Sequence, residues 1–222
     1  MIGWLVRSLD DVPPGDGWLS PGERATLAGP RAPKRRADFR LGRFAARVAL
    51  NALSSRLGVR GEWSVRARDD GSPEALLDGA PGPFALSISH SAGRAMAAVV
   101  TRDVALGCDV ERIEPRDEAL VVDFFDKDER ARLPRDGTRD RYVTLVWSAK
   151  ESALKVLRVG LRADPRALRV TWSDAPRPDG FRPLTVQVDG RTLHGVWRVE
   201  DEWVQTIAAD PWDDELIALD VG

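Results

Sequence analysis

The chain has 222 residues, 43% of them hydrophobic and 31% charged, with a formal net charge of -2. That is one large domain or two small ones, with ample apolar material for a core. Collagen-like, coiled-coil and disordered classes are excluded by composition, and no apolar run approaches the roughly 18 residues of a membrane helix. The opening MIGWLVRSLDD carries no signal-peptide pattern, so a cytoplasmic protein is expected. A single cysteine, Cys108, leaves no intramolecular disulfide and no cysteine-rich metal site.

Taken in order, 4–9 reads as a first strand. Ser20-Pro21-Gly22-Glu23 is a capping box with proline at the first helical position. Over 36–57 the residues Leu41, Phe44, Ala45, Val48 and Ala52 recur at helical spacing, and Gly58 stops the run. Strands are expected at 63–67, 84–90, 95–101 and 106–112, with loop chemistry at Asp69–Pro73 and Pro81–Pro83. Asp126 to Glu129 is a second capping box, and 138–157 a long helix. Four strands near 168–172, 184–188, 194–199 and 203–208 follow. Helices with small sheets, twice over, give an α+β chain of two similar halves, 1–105 and 106–222.

Charge is unevenly spread. Residues 31–47 carry Arg31, Lys34, Arg35, Arg36, Arg40, Arg43 and Arg47 against one acid, Asp38, whereas 200–222 hold eight acids and no base. Such a basic helix suits phosphate, or is simply a solvated face in an arginine-rich chain. Lysine is rare: Lys34, Lys127, Lys150 and Lys155 are the only four among 33 basic residues.

Three segments could carry chemistry. In Gly107-Cys108-Asp109-Val110-Glu111, a strand puts Asp109 and Glu111 on one face. Two adjacent carboxylates suit a hard divalent cation; a polar edge strand, or acids paired with Arg112, would look the same. In Trp147-Ser148-Ala149-Lys150-Glu151-Ser152 the residues Glu151 and Lys155 share a helix face, either as a surface pair or as a phosphate contact. Ser87-Ile88-Ser89-His90-Ser91 ends a strand at a histidine, either structural or facing a ligand. Walker A, GxGxxG, HExxH and GxSxG patterns are absent.

In order and wording these segments resemble the Sfp-type 4′-phosphopantetheinyl transferase family. The resemblance runs from about residue 30 to 157. It takes in Arg35-Arg36-x-x-Phe39 with Gly42-Arg43, Asp70-Gly71-Ser72-Pro73, the Ser87–Ser91 strand, the GxDxE element, Phe124-Phe125 with Glu129, and the WxxKE element with Lys155. The Asp70–Pro73 loop departs from the aromatic-Gly-basic-Pro pattern of many members.

The resemblance implies two pseudo-symmetric α/β halves, helices packed on a small antiparallel sheet, with the active site between them. The N-terminal half would bind coenzyme A, and the C-terminal half would hold metal and catalyse. Asp109, Glu111 and Glu151 would hold Mg²⁺, Glu151 would act as general base, and Lys155, with Lys150 nearby, would meet the pyrophosphate. Arg35, Arg43 and His90 would clasp the 3′-phosphate; Asp70, Gly71, Ser72 and Ser89 would line the adenine pocket. The implied partners are coenzyme A and an apo acyl or peptidyl carrier protein, with no nucleic acid and no membrane, for a monomer in fatty-acid, polyketide or nonribosomal-peptide synthesis. Cys108 would pack behind the metal strand. Two other readings use the same residues: a Mg²⁺-dependent nucleotide hydrolase or phosphotransferase, and a nucleic-acid-binding module built on the arginine helix.

Overall fold

The computed structural model describes residues 1–29, 32–101, 103–159, 163–213 and 215–219; Arg31, Asp214 and Asp220 of the charge patterns above lie outside them. The architecture is α+β, with helices set against small, mainly antiparallel sheets, as expected. The chain divides into two compact units, Met1–Val104 with Asp213–Gly222, and Ala105–Trp212. The segment after Trp212, counted from sequence with the second half, thus belongs with the first unit.

In the first unit, β1 (Ile2–Ser8), β5 (Phe84–Ser91), β6 (Arg94–Thr101) and β12 (Leu216–Ala218) form a sheet in the order β12-β1-β6-β5. Its β1–β6 and β5–β6 pairs are antiparallel, while β12 runs parallel to β1. Helix α2 (Pro33–Leu57) packs on this sheet. Pro33 fixes its first turn, and Gly58 ends it at φ +70°. Leu41, Ala45, Ala49 and Leu53 form its buried stripe, meeting Ala95, Ala97 and Val99 of β6 in one core. Small side chains on both faces let helix and sheet approach closely. A second sheet of β2 (Trp63–Ala67), β3 (Pro73–Leu77) and β4 (Ala80–Pro81) lies nearby, where the Trp63 and Phe84 rings stack at 5.3 Å. Helix α1 (Pro21–Leu27) begins at the expected Ser20–Glu23 capping box.

In the second unit, β7 (Ala105–Arg112), β8 (Arg169–Trp172), β9 (Arg182–Val188), β10 (Arg191–Glu200) and β11 (Trp203–Asp210) form an antiparallel sheet ordered β7-β11-β10-β9-β8. Helix α5 (Arg139–Leu157) lies across β7 and β11. Two shorter helices precede it, α3 (Glu118–Phe124) and α4 (Lys127–Ala131). The Asp126–Glu129 capping box forms as expected. No helix among the described residues is long and apolar enough to cross a membrane.

Helix α3, the β3–β4 hairpin and β12 were not anticipated. Each is short: seven residues for the helix, and five, two and three for the strands. Stretches of that length carry too few periods to show a pattern.

Candidate functional site

The geometry of the second unit starts from a glycine. Gly107 faces α5, and a Cβ there would collide with the backbone carbonyl oxygen of Ser152. Its absence lets the helix sit against β7 and β11, where Ser148 and Ser152 hydrogen-bond the Thr206 hydroxyl at 3.0 and 2.6 Å. Asp109 and Glu111 follow Gly107 on the same face of β7. Trp147, Glu151 and Lys155 are four apart on α5, so one stripe of the helix runs along that row of the strand.

The contacts are specific. Lys155 Nζ donates to Asp109 Oδ1 at 2.9 Å and to the Cys108 carbonyl at 2.8 Å. Trp147 Nε1 donates to Glu111 Oε1 at 3.4 Å, and Arg116 Nη2 donates to Glu111 Oε2 at 2.8 Å. Arg112, the partner considered for these acids, instead pairs with Glu202 at 3.0 Å. Asp109 is buried; Glu111, Glu151 and Lys155 are half-buried.

Charge couples the group. Burial raises the Glu151 carboxyl above its ordinary value; Lys155 opposes this, and the negative charges of Asp109 and Glu111 add to the rise. For Lys155 burial is the largest single influence and works against the ammonium, but the charge and hydrogen bond of Asp109 together with the charges of Cys108 and Glu151 outweigh it, and the net shift is upward.

In type, three carboxylates on two facing elements are the donor set a hard divalent cation takes. Asp109 and Glu111 each face a cation of the chain's own, however, and among the described residues no three His, Cys, Asp or Glu side chains converge on one point.

Lys150 stands apart from this cluster. It points to the buried side of α5, where its Nζ donates to Glu129 Oε2 at 2.6 Å, the Phe124 carbonyl at 2.8 Å and the Pro165 carbonyl at 3.0 Å. Neither partner of the pair reaches solvent, at 0% and 1% side-chain exposure. Burial lowers the proton affinity of Lys150, and the hydrogen bond and charge of Glu129 act the other way. Glu129 also accepts from the backbone N–H groups of Asp126 and Val170. This lysine ties α5 to α4 and the 165–167 turn, with its Nζ turned away from the acidic row. A readable signal was available: Val146 and Ala153, at i−4 and i+3 from Lys150, are both core residues.

The first unit carries an open groove of about 360 Å³ lined by Arg35, Phe39, Arg43, Gly71, Ile88 and His90, with Asp38, Gly42, Ala67 and Pro73. Arg35, Arg43, Gly71 and His90 are thus brought together. The Arg43 guanidinium lies 4.6 Å from the centre of the Phe39 ring. Asp70 does not line the groove; its Oδ1 accepts from Ser72 N and Oγ at 2.8 and 2.6 Å, which shapes the turn that presents Gly71. Ser89 alternates with Ile88 and His90 along β5, so it is buried on the opposite face.

Most of the arginine helix is neutralised within the fold. Arg36 and Arg40 pair with Asp16, and Arg40 also donates to the Pro13 and Gly15 carbonyls at 2.6 and 2.7 Å. Arg47 pairs with the buried Glu23 at 3.0 Å, and Arg43 lies 3.8 Å from it. Asp16 and Glu23 lie outside the basic segment, so sequence counting missed them. The arrangement offers Lys34 and Arg35 to solvent at one end rather than a basic stripe for nucleic acid.

No curated protein matches the chain. The segment that holds β7, α5 and the acidic cluster does match a family: residues 105–208 fit the model of the 4′-phosphopantetheinyl transferase superfamily.

Proposed function

We propose that the chain is an Sfp-type 4′-phosphopantetheinyl transferase. It moves the phosphopantetheine arm of coenzyme A to a serine of an apo acyl or peptidyl carrier protein in the cytoplasm. The observation that carries this reading is the row of Asp109, Glu111, Glu151 and Lys155 on β7 and α5, inside the segment similar to the transferase superfamily. The groove with Arg35, Arg43 and His90 supports it, since two guanidiniums and an imidazole suit a phosphate monoester.

In the reaction, the carrier serine oxygen bonds to the β-phosphorus of coenzyme A and the bond to the bridging oxygen breaks. The products are phosphopantetheinyl-serine and 3′,5′-ADP. Glu151, whose proton affinity burial raises, takes the serine proton. Lys155, held by Asp109 and the Cys108 carbonyl, faces the charge that grows on the departing phosphate. Asp109, Glu111 and Glu151 are the residues that would hold Mg²⁺. Bound there, the ion would neutralise the pyrophosphate and favour loss of the ADP oxygen. Arg35, Arg43 and His90 take the 3′-phosphate, and the Gly71 turn lies against the adenosine. Lys150 and Ser89 have no part in ligand binding.

Intact-mass spectrometry of an apo carrier protein incubated with the chain, coenzyme A and Mg²⁺ tests this, with EDTA as control. A gain of one phosphopantetheine that EDTA abolishes is expected. No gain on acyl, polyketide or peptidyl carriers would overturn the reading, and nucleotide hydrolysis in the same tubes would favour a hydrolase.

A further inference from the structure

We propose that Arg116 is the resident counter-cation of Glu111, a latch that must let go before a divalent cation can take that carboxylate, so that it sets the cation affinity of the site. The proposal rests on the metal-dependent reading above.

Arg116 lies in the segment between β7 and α3. Its Nη2 donates to Glu111 Oε2 at 2.8 Å and to the Arg112 carbonyl at 3.1 Å. With Trp147 on Oε1, both oxygens of Glu111 are turned towards donors of the chain itself. That orientation accounts for three acids lying along one strand–helix seam without converging on a point.

The hold is built to be released. A guanidinium grips a carboxylate most firmly through two parallel N–H bonds. Here a single nitrogen engages Glu111, and the buried Nε of Arg116 makes no hydrogen bond among the described residues. A second acid stands ready, because Arg116 Nη1 is 3.7 Å from the exposed Glu114. A turn of the guanidinium towards Glu114 frees Glu111 without leaving Arg116 unpaired. Lys155 also bonds one carboxylate and one backbone carbonyl, but it sits on the long helix α5, and among the described residues no ion pair offers it a second, exposed acid as Glu114 does for Arg116.

The test is Mn²⁺ titration of the full-length chain, with free Mn²⁺ read by electron paramagnetic resonance. Arg116→Gln should bind Mn²⁺ about fivefold more tightly than wild type, the equivalent of one half-buried ion pair. Arg112→Gln removes the same charge nearby and should stay within about twofold. In an Glu111→Gln background the gain from Arg116→Gln should vanish. Glu114→Gln, a surface change that leaves the core untouched, should weaken Mn²⁺ binding about twofold, and only while Arg116 is present. Equal or weaker binding by Arg116→Gln, or the same gain without Glu111, overturns the latch while leaving the metal site standing. If neither wild type nor Arg116→Gln binds Mn²⁺ at a site that Asp109→Asn removes, the metal-dependent reading itself fails and the latch with it.

Discussion

The ammonium of Lys150 sits 2.6 Å from the carboxylate of Glu129, and neither side chain is open to solvent. One residue further along α5, Glu151 belongs to the acidic row. The helix thus carries a buried ion pair and a carboxylate of that row on flanks about 100° apart, the turn between neighbouring residues.

Breaking that pair from one side should be costly. Lys150→Met leaves a buried carboxylate and two carbonyls without their donor, and we expect a loss of about 3–5 kcal/mol in denaturant unfolding. Adding Glu129→Gln to Lys150→Met should recover about 1–2 kcal/mol, since the stranded charge is gone. Additive losses would show that the two side chains do not act as a pair.

Gly107→Ala should destabilise the second unit by about 3 kcal/mol, because the obstacle is the backbone of α5 and not a movable side chain. Chemical denaturation with a fluorescence readout checks this. The near-neutral result expected of an ordinary strand glycine would mean the helix can shift.

The phosphate assignment can be separated from the rest of coenzyme A. Arg35→Ala should weaken coenzyme A binding about tenfold in calorimetry, and leave dephospho-coenzyme A, which lacks the 3′-phosphate, unchanged. Equal weakening of both ligands would move Arg35 away from that phosphate.

Asp109→Asn keeps the size of the side chain and one acceptor for Lys155, so the fold should persist with a melting temperature within a few degrees. Transfer to an apo carrier, followed by chromatography of the holo product, should fall about 100-fold or more. Transfer at the wild-type rate would remove Asp109 from the chemistry.

What could be read from the sequence divides along physical lines. That these faces of β7 and α5 belong together was implied only by the resemblance; that Asp109 and Glu111 share one face of β7, and Glu151 and Lys155 one face of α5, was legible from spacing alone. The His90 end of β5 was legible for the same reason, and strict alternation would also have sent Ser89 to the other face. Lys150, which the resemblance would set near the pyrophosphate, lies instead among Val146 and Ala153, a placement that its helical position alone encodes. The arginine helix looked more basic than it is, since Asp16 and Glu23 come to it through tertiary packing that no local pattern encodes. Arg116 gave no signal in a chain this rich in arginine.

Strand β12 lies beside β1, and Leu219 covers Gly3, so the first unit is stitched from the two ends of the described chain. During translation its sheet therefore waits with β1 as a bare edge while the whole of 105–212 leaves the ribosome. The second unit, contiguous in sequence, can be finished first, and the unit whose strand β1 is made earlier is the last to be closed.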